Sequence, residues 1–311
     1  MRIAVAGGYG VALTMRVTTA PSAGETVTGG ILSQGHGGKG SNQAVGAARL
    51  GADVSLFTAV GDDANGAAAR EFWALEGVDA ASVVTTADAT MVGFIIVDET
   101  GENRIAIAPG ALAGLTPADA EGFRSAIADA DLFVVSLEIP LAVALRLLAI
   151  AREEGTPTVL NPAPAEPLPD EAWATIDYLT PNSTEAATLL ALDESVLTDA
   201  ATAAERLSSR FDGTVVVTGG STGAVVVHGG ATTRVPALRV PEVVDTTGAG
   251  DAFTAAFSVA IARGQSAVEA ARFASTAGAY AVTIAEVIPS LATHEQLENF
   301  QNTLHRAKDQ K

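Results

Sequence analysis

Short runs of β-branched and aliphatic residues alternate with longer Ala- and Leu-rich segments along nearly the whole chain. No other feature restricts the fold as much. Strands are expected over 3–6, 54–58, 132–136, 158–160, 178–180, 215–218 and 224–228, and helices over 42–50, 64–75, 117–128, 141–154, 184–192, 200–209, 252–263 and 267–284. The strand segments are apolar throughout instead of alternating with polar residues, so both of their faces must be covered. Strands separated by helices and buried on both sides make a mostly parallel sheet in an α/β fold.

Two stretches break the rhythm. One covers 14–33, with Pro21 and the run Gly24-Glu25-Thr26-Val27-Thr28-Gly29-Gly30; the other covers 91–107 and reads as two strands around a turn at 98–103. Neither stretch contains a helix, which suggests that together they form one small β element projecting from the main sheet. Open α/β sheets take their ligands at the C-terminal edge of the strands, so a β lid over that edge is the natural use. An ordinary hairpin excursion is the plainer alternative. The chain shows no linker, low-complexity tract or repeat, and 1–311 reads as a single domain.

The 311 residues, 48% of them hydrophobic, suffice for one large core. The absence of Cys rules out disulfides, thiolate metal sites and Cys nucleophiles. The four His are scattered without metal-ligand spacing. A net charge of −18 argues against a nucleic-acid or anionic-membrane surface. It does not argue against a small phosphorylated ligand held by local N–H groups and a cation. The apolar start at 1–7 is too short for a signal peptide, and no stretch approaches the roughly 20 apolar residues that span a bilayer. A soluble, cytoplasmic protein is expected.

The most specific chemistry lies in Asp245-Thr246-Thr247-Gly248-Ala249-Gly250-Asp251, which turns at once into an apolar helical run. Small residues allow a tight turn that points N–H groups one way, and the helix adds its positive N-terminal end. Asp251 puts a carboxylate beside that anion pocket, where it would repel phosphate. A general base taking the proton of an attacking alcohol explains its presence. A simple helix start with a favourable early Asp is the plain alternative.

Three further motifs carry weaker signals. Gly35-His36-Gly37-Gly38-Lys39-Gly40-Ser41-Asn42-Gln43 satisfies G-x-G-x-x-G before a helix, but no clean βαβ unit or ribose-binding acid accompanies it. Nor is it a P-loop, because Gly40 follows Lys39. Thr180-Pro181-Asn182-Ser183-Thr184-Glu185 could hold a Mg²⁺ through water with Asn182 and Glu185, or could be a helix cap. Thr218-Gly219-Gly220-Ser221-Thr222-Gly223 suits either close approach of a nucleotide or a hairpin turn.

In this order and at this length, these segments resemble ribokinase and the wider PfkB-type carbohydrate kinases. Gly24-Glu25-Thr26-Val27-Thr28-Gly29, Gly61-Asp62-Asp63, Leu137-Glu138 and Asn161-Pro162-Ala163-Pro164-Ala165 match as well, so the likeness covers nearly the whole chain. The resemblance implies a three-layer α/β/α domain with a β lid that also forms a homodimer contact, and an ATP-dependent kinase acting on the primary hydroxyl of a small sugar with Mg²⁺. By similarity, Asp251 is the base, and the N–H groups of Gly248, Ala249 and Gly250 stabilise the transferring phosphoryl group. Gly38, Lys39, Asn42 and Glu138 belong to the sugar side. Asn182 and Glu185 organise Mg²⁺ and phosphates, with Thr218, Gly220 and Gly223 lining the ATP site. Asp245 and the Thr247 carbonyl belong to a monovalent-cation (K⁺) site.

Two departures mark this chain. Ribokinases carry Gly-Ser-x-Asn-x-Asp after the first strand, whereas here Gly10 and Ala12 stand in place of the sugar-binding Asn and Asp. A deoxy sugar, a bulkier sugar or a polyol is therefore expected in place of D-ribose held in the usual way, with Tyr9 and His36 as candidate replacement contacts. Glu286-Val287 replaces the small Gly-Ala turn of the cation site, so weak or absent K⁺ activation is expected. A ketose or nucleoside kinase of the same family, a non-catalytic sugar or nucleotide sensor, and an NAD-dependent oxidoreductase resting on 35–40 are the competing functions.

Overall fold

The computed structural model describes residues 1–100, 102–192 and 199–309; Gly101 of the expected 98–103 turn and the last two residues of the 1–311 domain lie outside these. Nine strands form the central sheet, in the order Ala231–Val235, Ala224–His228, Thr214–Thr218, Tyr178–Leu179, Thr158–Asn161, Leu132–Ser136, Arg2–Ala6, Asp53–Phe57 and Val78–Asp79. From Thr214–Thr218 to Val78–Asp79 every pairing is parallel, and an antiparallel pair of strands closes the opposite edge.

Successive strand residues enter opposite apolar layers, as a pleated sheet buried on both faces requires. Ile3 and Val5 pack into one layer, Ala4 and Ala6 into the other; Leu132 and Val134 oppose Phe133 and Val135 likewise. The helices Lys39–Arg49, Ala64–Leu75, Ala249–Ala262 and Ala267–Ala281 cover one face. Leu141–Glu154, Ser183–Leu189, Ala200–Ser208 and the 117–128 segment cover the other. The result is the three-layer α/β/α arrangement. Among the described residues no helix is long and apolar enough to cross a membrane.

Several boundaries differ from the sequence expectation for physical reasons. The helices expected from 42 and 252 begin at Lys39 and Ala249. In both cases a glycine with positive φ (Gly38 at 91°, Gly248 at 80°) turns the chain into the helix earlier than the apolar pattern starts. The helix expected over 117–128 is broken into Pro117–Ala120, a 3₁₀ turn Glu121–Phe123 and Arg124–Ala128, with Gly122 at the break. The helix His294–Asp309 was not expected, because its apolar positions are sparse among polar residues.

A second, four-stranded sheet has the order Ile31–Gly37, Gly10–Arg16, Val92–Val97, Asn103–Ala108. The two interruptions of the sequence meet here, with Val11 level with Val92 and Ala12 with Gly93 in a parallel pairing. The first of them contributes its flanks: the strands lie at 10–16 and 31–37, and the Gly-rich connection 17–30 forms no strand.

Candidate active site

The parallel strands end at Ala6, Ser136, Asn161, Leu179 and Thr218, and the motifs at 137–138, 161–165, 180–185 and 218–223 begin at or directly after four of those ends, unlike 245–251 and the 35–43 segment. The helices Lys39–Arg49 and Ala249–Ala262 bring these remaining two segments to the same edge. Asp251 sits in the third position of its helix and is only 6% exposed. Its Oδ2 accepts from Asn42 Nδ2 at 2.8 Å and its Oδ1 from Gln43 Nε2 at 3.1 Å. A carboxylate at the positive end of a helix with an amide donor on each oxygen is fixed in place, and its remaining lone pairs are left for a substrate proton.

The helix start beside it supplies first-turn N–H groups that have no intrahelical acceptor. The first intrahelical bond runs from Ala252 N–H to the Gly248 carbonyl at 2.9 Å. A Cβ built on Gly250 meets nothing within 4 Å, so this backbone fronts open space that an anion can approach. Of the N–H groups expected to serve an anion, that of Ala249 leans back on the Thr246 carbonyl at 3.3 Å. Gly250 is the freer donor. Gly248 abuts Val287, whose Cγ1 would lie 2.6 Å from a Cβ at position 248, so the 286–290 segment supports the helix start.

Lys39 lies on the neighbouring helix, and its N–H donates to Glu138 Oε2 at 2.6 Å. Burial acts to lower the pKa of the Lys39 ammonium, but Asp251, Glu138 and Glu185 outweigh it and hold the group above its ordinary range. Glu138 is pushed up to about 7, first by burial and then by Asp251, with Lys39 offsetting only part. Its proton is bound more tightly in the folded chain than in the unfolded one, where 4.5 is ordinary. The associated stability is therefore complete below pH 4.5 and is lost as pH rises through about 7. Thermal melts of ligand-free protein are expected to show a falling midpoint across that window, and Glu138→Gln to flatten the fall. An unchanged slope in the variant would locate the titration elsewhere.

Asn182 and Glu185 form a capping box: Glu185 N–H donates to Asn182 Oδ1 and Asn182 N–H to Glu185 Oε2, both at 2.8 Å. The plainer sequence reading thus holds, and the two side chains also sit together at the strand edge. Burial raises Glu185, with Lys39 acting against it. Asn182 pairs with Thr218 in an isolated parallel bridge, so the two segments expected on the nucleotide side adjoin. Gly220 is exposed, in a 3₁₀ turn inside the antiparallel hairpin. Gly223 is packed against the Val235 carbonyl, a structural contact.

In the segment expected to hold a cation, Asp245 Oδ1 accepts from Thr247 N–H at 2.9 Å and Oδ2 from Glu286 N–H at 3.1 Å. Burial works against ionisation there, but bonds from Thr247 and Glu286 hold Asp245 below the usual carboxylate range. Glu286 takes φ 67° and ψ 154°, a region side-chain-bearing residues avoid.

Tyr9 and His36 do not stand free as replacement sugar contacts. Tyr9 is fully buried with its ring against Trp73, and its hydroxyl bonds His36 Nδ1 at 2.8 Å; His36 stacks on Phe72 at 4.1 Å. The space of a side chain at position 10 is taken instead by Met91, whose Cε would lie 2.3 Å from a Cβ there. Met91 follows Thr90, which Asp63 pins through Thr90 N–H at 2.8 Å and Thr90 Oγ1 at 2.7 Å. The Gly61-Asp62-Asp63 motif therefore holds the backbone next to Met91. Sequence reasoning also passed over Gln43 and Asn161 as site residues, although both lay inside motifs it singled out.

A pfkB family carbohydrate kinase model matches residues 9–294. The chain is 39% identical over 305 residues to a ribokinase of Schizosaccharomyces pombe, covering 94% of this chain and 96% of that one. It is 34% identical over 304 residues to a bifunctional ribokinase/ribose-5-phosphate isomerase A of Fructilactobacillus sanfranciscensis, covering 97% of this chain and 56% of that longer protein. The solved structure of Arabidopsis thaliana ribokinase complexed with ribose and ATP superposes with a TM-score of 0.86 at 27% identity, over 96% of this chain and 97% of that one. Such agreement along almost the whole length goes with a buried carboxylate at a helix start facing the strand ends, and the chain belongs to the pfkB family of carbohydrate kinases.

Proposed function

We propose that this kinase transfers the γ-phosphoryl group of ATP to the primary hydroxyl of a small sugar, with Asp251 as general base. The supporting observation is the Asp251 carboxylate, buried, held by two amides and set beside the open backbone of Gly250. Asp251 takes the alcohol proton as the alcohol oxygen bonds to the γ-phosphorus and the bond to ADP breaks; helix-start N–H groups face the charge on the transferring group. Glu138, Lys39, Gly38 and Asn42 orient the sugar, and Thr218, Gly220 and Gly223 border the nucleotide. Among the described residues no cluster of three or more acidic or His side chains could hold a metal unaided. Asn182 and Glu185 would anchor a Mg²⁺ through water, and the ion would supply neutralisation of phosphate charge. We infer a cytoplasmic location, which would supply ATP.

For the sugar, we infer a deoxypentose over D-ribose. Gly10, Ala12 and Met91 present alkyl surface where ribokinases present Asn and Asp, and a hydroxyl facing that wall loses roughly 1.5–3 kcal/mol of charged hydrogen bonding. An ADP-release panel over pentoses, deoxypentoses, ketohexoses, polyols and nucleosides is expected to give higher kcat/KM for 2-deoxy-D-ribose than for D-ribose. A micromolar KM for D-ribose with clear preference over related sugars would overturn the inference. In the same assay, replacing Na⁺ by K⁺ is expected to change the rate little, because the left-handed Glu286 and the committed Asp245 oxygens alter the Asp245 and Thr247 cation site. A several-fold increase would count against this.

We also propose a homodimer through the four-stranded sheet. Ile31, Leu32, Phe94, Ile105 and Ile107 on its strands are 55–72% exposed, more large apolar surface than an isolated small sheet leaves bare. Light scattering is expected to give a dimer mass, and Ile107→Glu to give a monomer; a monomeric wild-type protein at micromolar concentration would refute the contact.

A further inference from the structure

We propose that Gln43 and Asn161 are positioning residues for Asp251, forming an amide relay whose polarity is set by the Thr180 carbonyl. This rests on Asp251 being the base. Gln43 is 1% exposed, Asn161 6% and Thr180 3%, so water cannot substitute for their bonds. Asn161 Nδ2 donates to the Thr180 carbonyl at 2.9 Å, and Gln43 Nε2 donates to Asn161 Oδ1 at 2.9 Å and to Asp251 Oδ1 at 3.1 Å.

A carbonyl can only accept, so the Asn161 amide must turn its NH₂ to Thr180 and its oxygen to Gln43. That oxygen in turn fixes the Gln43 NH₂, whose second hydrogen lies toward Asp251. Flipping either amide would set two oxygens face to face. The cost is visible in Gln43 Oε1, which is buried with no hydrogen-bond partner, as is Asn42 Oδ1. Two neighbouring amides that both leave an oxygen unsatisfied in order to aim NH₂ groups at one carboxylate are organised around that carboxylate. The relay connects positions 118 and 208 residues apart, and its Thr180 end leads directly into the segment carrying Asn182 and Glu185.

The relay has a chemical consequence. Gln43→Glu keeps the shape but replaces the donor with an acceptor and sets a second carboxylate against Asp251. Asn161→Asp sets one oxygen against the Thr180 carbonyl, which costs stability, but keeps the other toward Gln43 and so leaves the donor to Asp251 in place. The other charged groups acting on this carboxylate, Lys39, Glu138 and Glu185, are untouched by either change.

The test uses the full-length enzyme with ATP, Mg²⁺ and the best sugar of the panel, with Asp251→Asn as reference. Gln43→Glu is expected to lower kcat by roughly tenfold or more while KM for ATP stays within about twofold, and to move the acid limb of the kcat–pH profile to higher pH. Asn161→Asp is expected to lose less kcat and to keep an acid limb closer to that of the wild type. Should Gln43→Glu fail to fold, Gln43→Met, neutral and similar in length, is expected to lower kcat with KM for ATP preserved. Wild-type kcat and pH profile in the Gln43 variants, or loss of kcat only in proportion to loss of folded protein, would overturn the relay. An active Asp251→Asn enzyme would instead overturn the base itself.

Discussion

Asp251→Asn is expected to lower kcat by about 10²–10⁴-fold while leaving ATP binding intact. The substitution changes few atoms, so the loss would report chemistry more than shape. The pocket also makes a specific demand on that side chain. Asn42 and Gln43 both present NH₂ groups, one to each Asp251 oxygen. An amide at position 251 has one acceptor end and one donor end, so only one of the two neighbours can go on donating to it. Gln43 is held by its bond to Asn161, but Asn42, whose side chain bonds only to Asp251, can turn its unpartnered Oδ1 to accept from the new NH₂. The accompanying stability loss is therefore expected to be no more than about 1 kcal/mol. Single-turnover phosphoryl transfer, ATP titration by calorimetry and urea unfolding separate the three effects. A sensor with this fold would lose none of its ligand response on this change and would show no turnover before it. Retained turnover in Asp251→Asn would remove the base from the mechanism.

Much of this site was legible because its elements are local. Asp251 stands three residues after Gly248, and a glycine turn followed by an apolar helix announces an N-terminus wherever it occurs in the chain. The apolar strands announce the covered sheet in the same local way. What stayed hidden depends on partners distant in sequence. Gln43 and Asn161 read as parts of motifs, and only the folded chain shows one amide donating to both Asn161 and Asp251. The absence of a side chain at Gly10 read as a lost sugar contact, whereas Met91 fills that space, next to the backbone that Asp63 holds through Thr90. Tyr9 illustrates the opposite error. A polar aromatic near a sugar site invited a binding role, yet its hydroxyl is satisfied by His36 and its ring belongs to the core. The cap formed by Asn182 and Glu185 was written in their spacing, but the bridge joining Asn182 to Thr218 was not.

Gly38→Ala is expected to destabilise the fold by about 2–4 kcal/mol and to lower kcat/KM by roughly 10²-fold, while Gly35→Ala three residues earlier should leave both nearly unchanged. Two independent constraints meet at Gly38. Its φ of 91° is costly for any residue with a Cβ. That Cβ would also lie 2.5 Å from Tyr9 Cα and 2.6 Å from the Gly8 carbonyl oxygen. Both are backbone atoms in the turn just after the first strand, so no side chain can swing aside. The helix Lys39–Arg49 would have to retreat as a unit, stretching the bond from Ser41 N–H to the Gly8 carbonyl, now 3.0 Å. Lys39, Asn42 and Gln43 all ride on its first turns, so Glu138 and Asp251 would lose their partners together. Gly35 lies in the strand before this turn, and a Cβ there meets nothing within 4 Å. Denaturant midpoints and kcat/KM for the two variants give the comparison directly. If the two behave alike, close backbone contact at Gly38 is not what seats the base and its amide donors.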